Sequence, residues 1–467
     1  MKINFFTATL AGILFCFGSY AQTGWSELGN SSTSFNSKYV FTQLLTDKGD
    51  NIYTAGFFTN ANSKNYVAEW KGSTWSEIGS GSNIFKNSVI EVLAIDSKDN
   101  IYATGPYPNS GGYFYVARWD GSNWSELGSG ANALNASRDL FAIGTDNKGN
   151  VYTGGWIVDN NSNKYIAKWD GTSWSALGSG TNALNANDEI RTIAADTFGN
   201  VYTGGSFTNS SGHFYVAKWN GNSWSELGSG ANALNANSYL NCITTDASGN
   251  VYATGAFTNS SGKRYVAKWN GTTWTELGTG SAALNANNNI YKIIADANKN
   301  IYASGFFTNS SGNRYVAKWN GTSWSELGGA NSLKADSDII AMAVDANGKV
   351  YVTGYFVNTS GKFYIAKYTP STSGIEPESA GLNHFRVIPN PSTDIFEIKG
   401  VLNSSEGNLL IQIFNSLGDK ITQRLVVNPN GDIQTKFDLS EYPAGIYYLQ
   451  MQKSDGTSYS MKLVLQH

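Results

Sequence analysis

The chain is nearly devoid of cysteine, histidine and methionine, with 2 Cys, 3 His and 4 Met in 467 residues. Charge is sparse as well: Asp, Glu, Lys and Arg make up 14%, well below the roughly one quarter usual for soluble domains. Each shortage excludes something. Two cysteines, Cys16 and Cys242, cannot build a cysteine-rich metal site, and Cys16 falls in a segment read below as removed, so no internal disulfide is expected. A formal net charge of −3 provides no basic footprint for nucleic acid or anionic lipid. Beyond the N-terminal segment no run approaches the roughly 20 apolar residues of a membrane span. The histidines, His213, His384 and His467, form no recurring pairing with carboxylate or cysteine, so triad chemistry has no support and no cofactor is expected.

What the chain does have is glycine, 51 residues of it, and 13% aromatics, a mixture suited to an all-β fold with many turns. Residues 1–21 read as a signal peptide: Lys2, an apolar run, then Ser19-Tyr20-Ala21 as a small-x-small cleavage site. Leu14-Phe15 before Cys16 does not fit the small residues that precede a lipidated cysteine.

The dominant signal is repetition. WSELG or a close relative begins at Trp25, Trp75, Trp124, Trp174, Trp224, Trp274 and Trp324, at a spacing of 49 or 50. A second series, D-x-x-G-N-x-Y-x-x-G with variations, starts at Asp47, Asp96, Asp146, Asp196, Asp246, Asp296 and Asp345. A third, YVAKW-like, ends at Trp70, Trp119, Trp169, Trp219, Trp269, Trp319 and Tyr368. Each unit parses into four short strands. Strand A is the apolar run before the Asp, strand B is NVYATGAF-like, strand C is YVAKW and strand D is SWSELG. Asn270-Gly271 between C and D is a strong hairpin signal, with both residues expected at positive φ. The A–B turn is expected to use Gly249 and Asn250 in the same way, with Asp246 capping backbone N–H groups. The Asp series lacks the alternating carboxylates and closing Glu of a calcium loop, so it reads as turn chemistry and not as metal sites.

Four antiparallel strands per unit predict a seven-bladed β-propeller over residues 22–370. The inventory is offset by one: Trp25 opens a D strand with no A, B or C before it, and the last unit stops at Tyr368 without a D strand. The N-terminal strand is therefore expected to complete the last blade and remove an exposed edge. All but Trp156 of the 14 tryptophans fall in the repeated frame, which assigns them to packing between blades. The D-x-x-G-N-x-Y-x-x-G strings resemble the β-propeller repeats of secreted bacterial proteins, a resemblance that implies the fold and many unrelated activities.

Positions that keep the frame but change residue are the candidates for function. The sixth and third residues before each Asp stay apolar, as at Leu240 and Ile243. The fifth reads Thr42, Glu91, Phe141, Arg191, Asn241, Tyr291 and Ile340. The seventh includes Asp139, Glu189, Tyr239 and Asp338. Strand A of a propeller lines the central channel, and its start lies on the face with the D–A and B–C loops. Glu91, Phe141, Arg191, Asn241, Tyr291, Asp139, Glu189 and Tyr239 are thus the expected ligand funnel at the channel mouth. The GSGANALNAN loops beside it offer amides suited to sugars or peptide backbone.

Residues 371–383, which begin STSGIEPESAG, read as a linker. Beyond them, apolar alternation at 396–399, 409–414, 446–451 and 461–465 predicts a small β-sandwich. Val387-Ile388-Pro389-Asn390-Pro391, Phe414-Asn415-Ser416-Leu417-Gly418, Asp438-Leu439-Ser440, Gly445-Ile446-Tyr447 and Lys462-Leu463-Val464-Leu465 together resemble the C-terminal sorting domain of the type IX (Por) secretion system, over residues 384–467. The resemblance implies engagement of that machinery, passage across an outer membrane, then removal of the domain with release or surface attachment of the passenger. The reading is an exported propeller that binds an extracellular glycan or protein. The alternatives are a polysaccharide lyase or hydrolase using Glu91, Arg191 and Tyr291, or a structural surface protein without a small ligand.

Overall fold

The computed structural model describes residues 24–29, 34–80, 82–370, 386–388, 390, 392–402, 408–415, 418–426, 431–453 and 458–466. The segment read as a signal peptide and the linker lie outside these residues. The chain divides into two compact units between Thr369 and Pro370.

The first unit consists of seven four-stranded antiparallel sheets, six of them built from one continuous repeat each. In the fifth blade strand A is Leu240–Thr245, B is Val251–Gly255, C is Ala267–Trp269 and D is Trp274–Glu276. The seventh blade takes its outer strand from the other end of the chain. Gly24–Glu27 pairs with Ala366–Thr369, placing Trp25 opposite Tyr368 with ring centroids 5.4 Å apart. The offset strand inventory therefore resolves as ring closure.

Tryptophan links blade to blade. The Trp25 indole N–H donates to the Leu327 carbonyl of the preceding blade at 3.0 Å. Trp124, Trp174, Trp224, Trp274 and Trp324 donate in the same way to Ile78, Leu127, Leu177, Leu227 and Leu277. Trp124 and Trp224 are buried and the other four half-buried, each with its one polar atom satisfied; Trp75, the seventh of the series, has its indole nitrogen buried without a partner.

The A–B turn explains the D-x-x-G-N-x-Y string. Asp246 Oδ1 accepts the backbone N–H groups of Ser248 and Asn250, while Oδ2 accepts the Asn250 amide at 2.7 Å and the Tyr252 hydroxyl at 3.0 Å. Four donors saturate the carboxylate. Gly249 takes φ 79, but Asn250 stays out of the left-handed region because its side chain is engaged by the Asp. The C–D connection departs likewise. Only Gly271 has positive φ, at 100. Asn270 instead accepts the N–H groups of Thr272 and Thr273 through Oδ1, which makes a four-residue capped loop in place of a two-residue turn.

The second unit is a β-sandwich around one apolar core that includes Phe396, Ile398, Ile411, Ile413, Leu449, Met451 and Leu463. One sheet has Arg386–Ile388, Ile395–Leu402 and Gly431–Asp438; the other has Lys420–Val426, Leu409–Asn415, Gly445–Lys453 and Ser458–Leu465. Lys420–Val426 gave no signal in the sequence because it is an edge strand with little buried surface.

Candidate functional site

The fifth position before each Asp is variable because the backbone bulges there. The sixth-position residues Phe41, Ile90, Leu140, Ile190, Leu240, Ile290 and Ile339 are all 0% exposed and anchor the strand. One residue later the ladder slips. Leu240 pairs with Gly255 and Cys242 with Thr254, so Asn241 has no partner across the sheet. The same bulge frees Thr42, Phe141, Arg191, Tyr291 and Ile340. In the second blade strand A begins only at Val92, and the Glu91 N–H donates to Thr104 just ahead of it. Bulges of this kind re-aim a side chain out of the pleat. Their cost falls on strand B, which ends in Gly in six blades and is followed directly by Gly105 in the second. A Cβ on Gly205 would sit 2.1 Å from the Glu189 carbonyl oxygen, and one on Gly354 2.0 Å from that of Asp338.

A cavity of about 320 Å³ in the channel is lined by strand A residues of all seven blades, with Phe141, Arg191, Asn241 and Tyr291 among them. Arg191 Nε donates to Glu189 Oε2 at 2.8 Å, and its guanidinium carbon lies 4.5 Å from the Tyr239 ring centroid. Asn289 donates to the Tyr239 hydroxyl at 3.3 Å. Tyr291 stacks on Phe306 at 4.6 Å, and burial followed by Tyr239 raises its phenol pKa. Glu189 and Arg191 of the fourth blade, Tyr239 of the fifth and Tyr291 of the sixth are thus brought together. Asn241 is engaged otherwise: its amide donates to the Ile290 carbonyl of the next blade at 3.2 Å, as Thr42 does to Ile90.

Glu91 and Asp139 belong to the adjoining sector. Burial, then the nearby carboxylates Asp139 and Glu189, push the Glu91 carboxyl up to about 7. Its Oε2 is buried without a hydrogen-bond partner. Tyr107, in the same blade, stands where other blades have Phe or Ile. It is 0% exposed, its hydroxyl also has no partner, and burial, Tyr115 and Glu91 hold its phenol far above the usual value.

One set of residues escaped the reading of the sequence. The residue after the strand B glycine is Phe57, Pro106, Trp156, Ser206, Ala256, Phe306 or Tyr355. Except at Pro106, which has no N–H, its N–H donates to the carbonyl of the seventh-position residue, as Trp156 does to Asp139 at 3.0 Å. This position therefore borders the same mouth. Phe57 is 50% exposed, Trp156 38% and Tyr355 46%. Testing this position for a fixed frame and a changing residue would have revealed it.

At the opposite end a cavity of about 270 Å³ is bordered by Asp146, Asp196, Asp246 and Asp296, whose carboxylates are used in their turns. His213 is exposed in a B–C turn. Among the described residues no cluster of His, Cys, Asp and Glu is arranged to hold a metal ion, and no helix is long and apolar enough to cross a membrane.

Among solved structures, the chain is similar to a fungal alcohol oxidase of the AA5 family in complex with copper, at 11% identity and TM-score 0.48, over 96% of this chain and 100% of that one. It is also similar to a PL25 ulvan lyase bound to a glucuronate–sulfated rhamnose unit, at 13% identity and TM-score 0.42, over 73% and 95% of the two chains. A third is an arginine-substituted AofleA from Arthrobotrys oligospora, at 10% identity and TM-score 0.39, over 69% and 94%. No curated protein matches the chain. Residues 386–466 match the secretion system C-terminal sorting domain family, which marks the chain as a type IX export substrate that is secreted or attached to the cell surface.

Proposed function

We propose that the exported propeller is a binding module that holds a glycan at the channel mouth, on the face of the D–A and B–C loops. The observation that carries this reading is the convergence of Arg191 and Tyr291, on the β-bulges of their blades, with Glu189 and Tyr239, each just ahead of a strand A. A carboxylate and a guanidinium side by side offer an acceptor and several donors to vicinal hydroxyls. Exposed aromatic faces take up the apolar face of a sugar ring. Arg191 is held in advance by Glu189 and Tyr239, so less side-chain freedom is lost on binding.

A second reading, a polysaccharide lyase or hydrolase, has one observation in its favour. A Glu91 carboxyl titrating near 7 suits general acid–base work, and it lies near other carboxylates. A glycan array followed by product analysis separates the two. A saturable signal without new chain ends, lost in Arg191→Ala/Tyr291→Ala with thermal stability retained, supports the binder. Turnover that disappears in Glu91→Gln supports the enzyme. Undiminished binding in the double variant, with loss on altering the outer loops around His213 and Arg264, refutes the mouth as the site.

A further inference from the structure

The repeat supplies its own control: what one blade does differently, the fold does not require. The third blade differs in three connected places. In the other six blades an Asn of the B–C loop donates its amide to a strand D Glu: Asn60 to Glu77, Asn109 to Glu126, Asn209 to Glu226, Asn259 to Glu276, Asn309 to Glu326 and Asn358 to Glu27. In the third blade these positions are Asp159 and Ala176, and the tie is missing. Asp159 still caps its own loop through Asn161 and Asn163, so the loop is shaped as elsewhere but not fastened to strand D. The third departure is Trp156, the one tryptophan outside the repeated frame. A packing role would bury it, yet it is 38% exposed, more than a third of its surface. The ammonium of Lys164, from the same untied loop, lies 5.3 Å from its ring centroid.

Trp156 opens onto a cleft of about 590 Å³ that Phe114, Ser137, Arg138 and Asp139 also line. Asp139 joins the cleft to the channel mouth: its backbone carbonyl accepts the Trp156 N–H at 3.0 Å, and its charge acts on Glu91. The chemistry resembles that of the mouth, with an aromatic face, a guanidinium, a carboxylate and a hydroxyl.

We infer that Trp156, Arg138 and Asp139 form a second saccharide subsite, continuous with the mouth, so that the ligand is a chain of several sugars running outward over the third blade. This rests on the glycan-binding reading of the mouth. Two linked subsites on one scaffold make affinity climb with chain length, because the second contact is made at high effective concentration.

The test uses the full propeller with a disaccharide and a hexasaccharide prepared from the polysaccharide that gives the strongest array signal, titrated by calorimetry. Wild type should bind the hexasaccharide about tenfold or more tighter than the disaccharide. Trp156→Ala should remove most of that difference, and Trp156→Phe should keep most of it. Arg191→Ala/Tyr291→Ala should weaken both ligands. Equal affinity of wild type for the two lengths, or a length preference that survives Trp156→Ala, overturns the subsite and leaves the mouth standing. A length preference that needs Trp156 but ignores Arg191 and Tyr291 overturns the mouth and the continuity with it. If no saccharide binds wild type, both fail.

Discussion

Replacing Glu91 with Gln should make the propeller more stable at alkaline pH, with only about a quarter of that gain present at pH 5. The folded carboxyl titrates at about 7 against an ordinary 4.5, chiefly through burial and then through Asp139 and Glu189. A carboxyl with a raised folded pKa prefers its proton in the native state. Below 4.5 it is protonated in both states and contributes nothing to the pH dependence. As pH rises from 4.5, the unfolded chain releases its proton first, so stability falls until pH passes 7 and then levels off. The full shift corresponds to about 3 kcal/mol as an upper limit, since solvent reaches part of the side chain. For a propeller of this size that is a Tm difference of roughly 4 °C. Thermal denaturation of wild type and Glu91→Gln at pH 5 and 8.5 is the assay. The difference between the two proteins isolates Glu91 from all other titrations. Parallel pH profiles would refute the argument, as would a variant less stable at pH 8.5.

Four further outcomes are expected. Gly205→Ala brings a methyl 2.1 Å from the Glu189 carbonyl; it should cost about 2–4 kcal/mol in urea denaturation. Gly212→Ala, which meets no atom within 4 Å but has φ 78, should cost only about 1 kcal/mol. Deleting residues 24–29 removes the strand paired with Ala366–Thr369 and bares a sheet edge, so denaturation should shift to much lower urea and light scattering should rise. Truncation after Pro370 should leave a folded propeller in the periplasm, read by fractionation and surface protease accessibility; normal surface delivery would contradict the role of the tail.

The blades were legible because every level of the repeat agrees: the strand D Trp and the glycine that closes strand B recur seven times, and the Asp–Asn–Tyr turn six times, with Lys349 in place of Asn in the last blade. Ring closure followed from counting strands. What could not be read was which groups are already engaged. Asn241 and Arg191 occupy the same frame position, yet one is bonded to Ile290 of the next blade and the other leans on Tyr239 from the next blade. Nor does the sequence reveal a bulge. Its signature is an arbitrary residue beside an obligatory glycine, and only the pairing between Ile190–Gly205 and Thr192–Gly204 exposes it. The two turns taken as left-handed pairs failed for one reason. Asn250 and Asn270 act through their side chains, which spares the backbone from positive φ. In the second unit four strands stood out, while the edge strand Lys420–Val426, the short Arg386–Ile388 and Gly431–Asp438, whose apolar Ile433 and Phe437 are separated by Gln, Thr and Lys, did not.

The central claim is that the channel mouth, and not some other face, receives a saccharide. A crystal structure of the propeller with the array-selected hexasaccharide tests it most directly. The account predicts sugar density at the mouth, with hydroxyls on Glu189 and Arg191, a ring against Tyr291, and the chain leading to Trp156. Density confined to the opposite end, beside the Asp turns, or to the outer rim by His213, would contradict it.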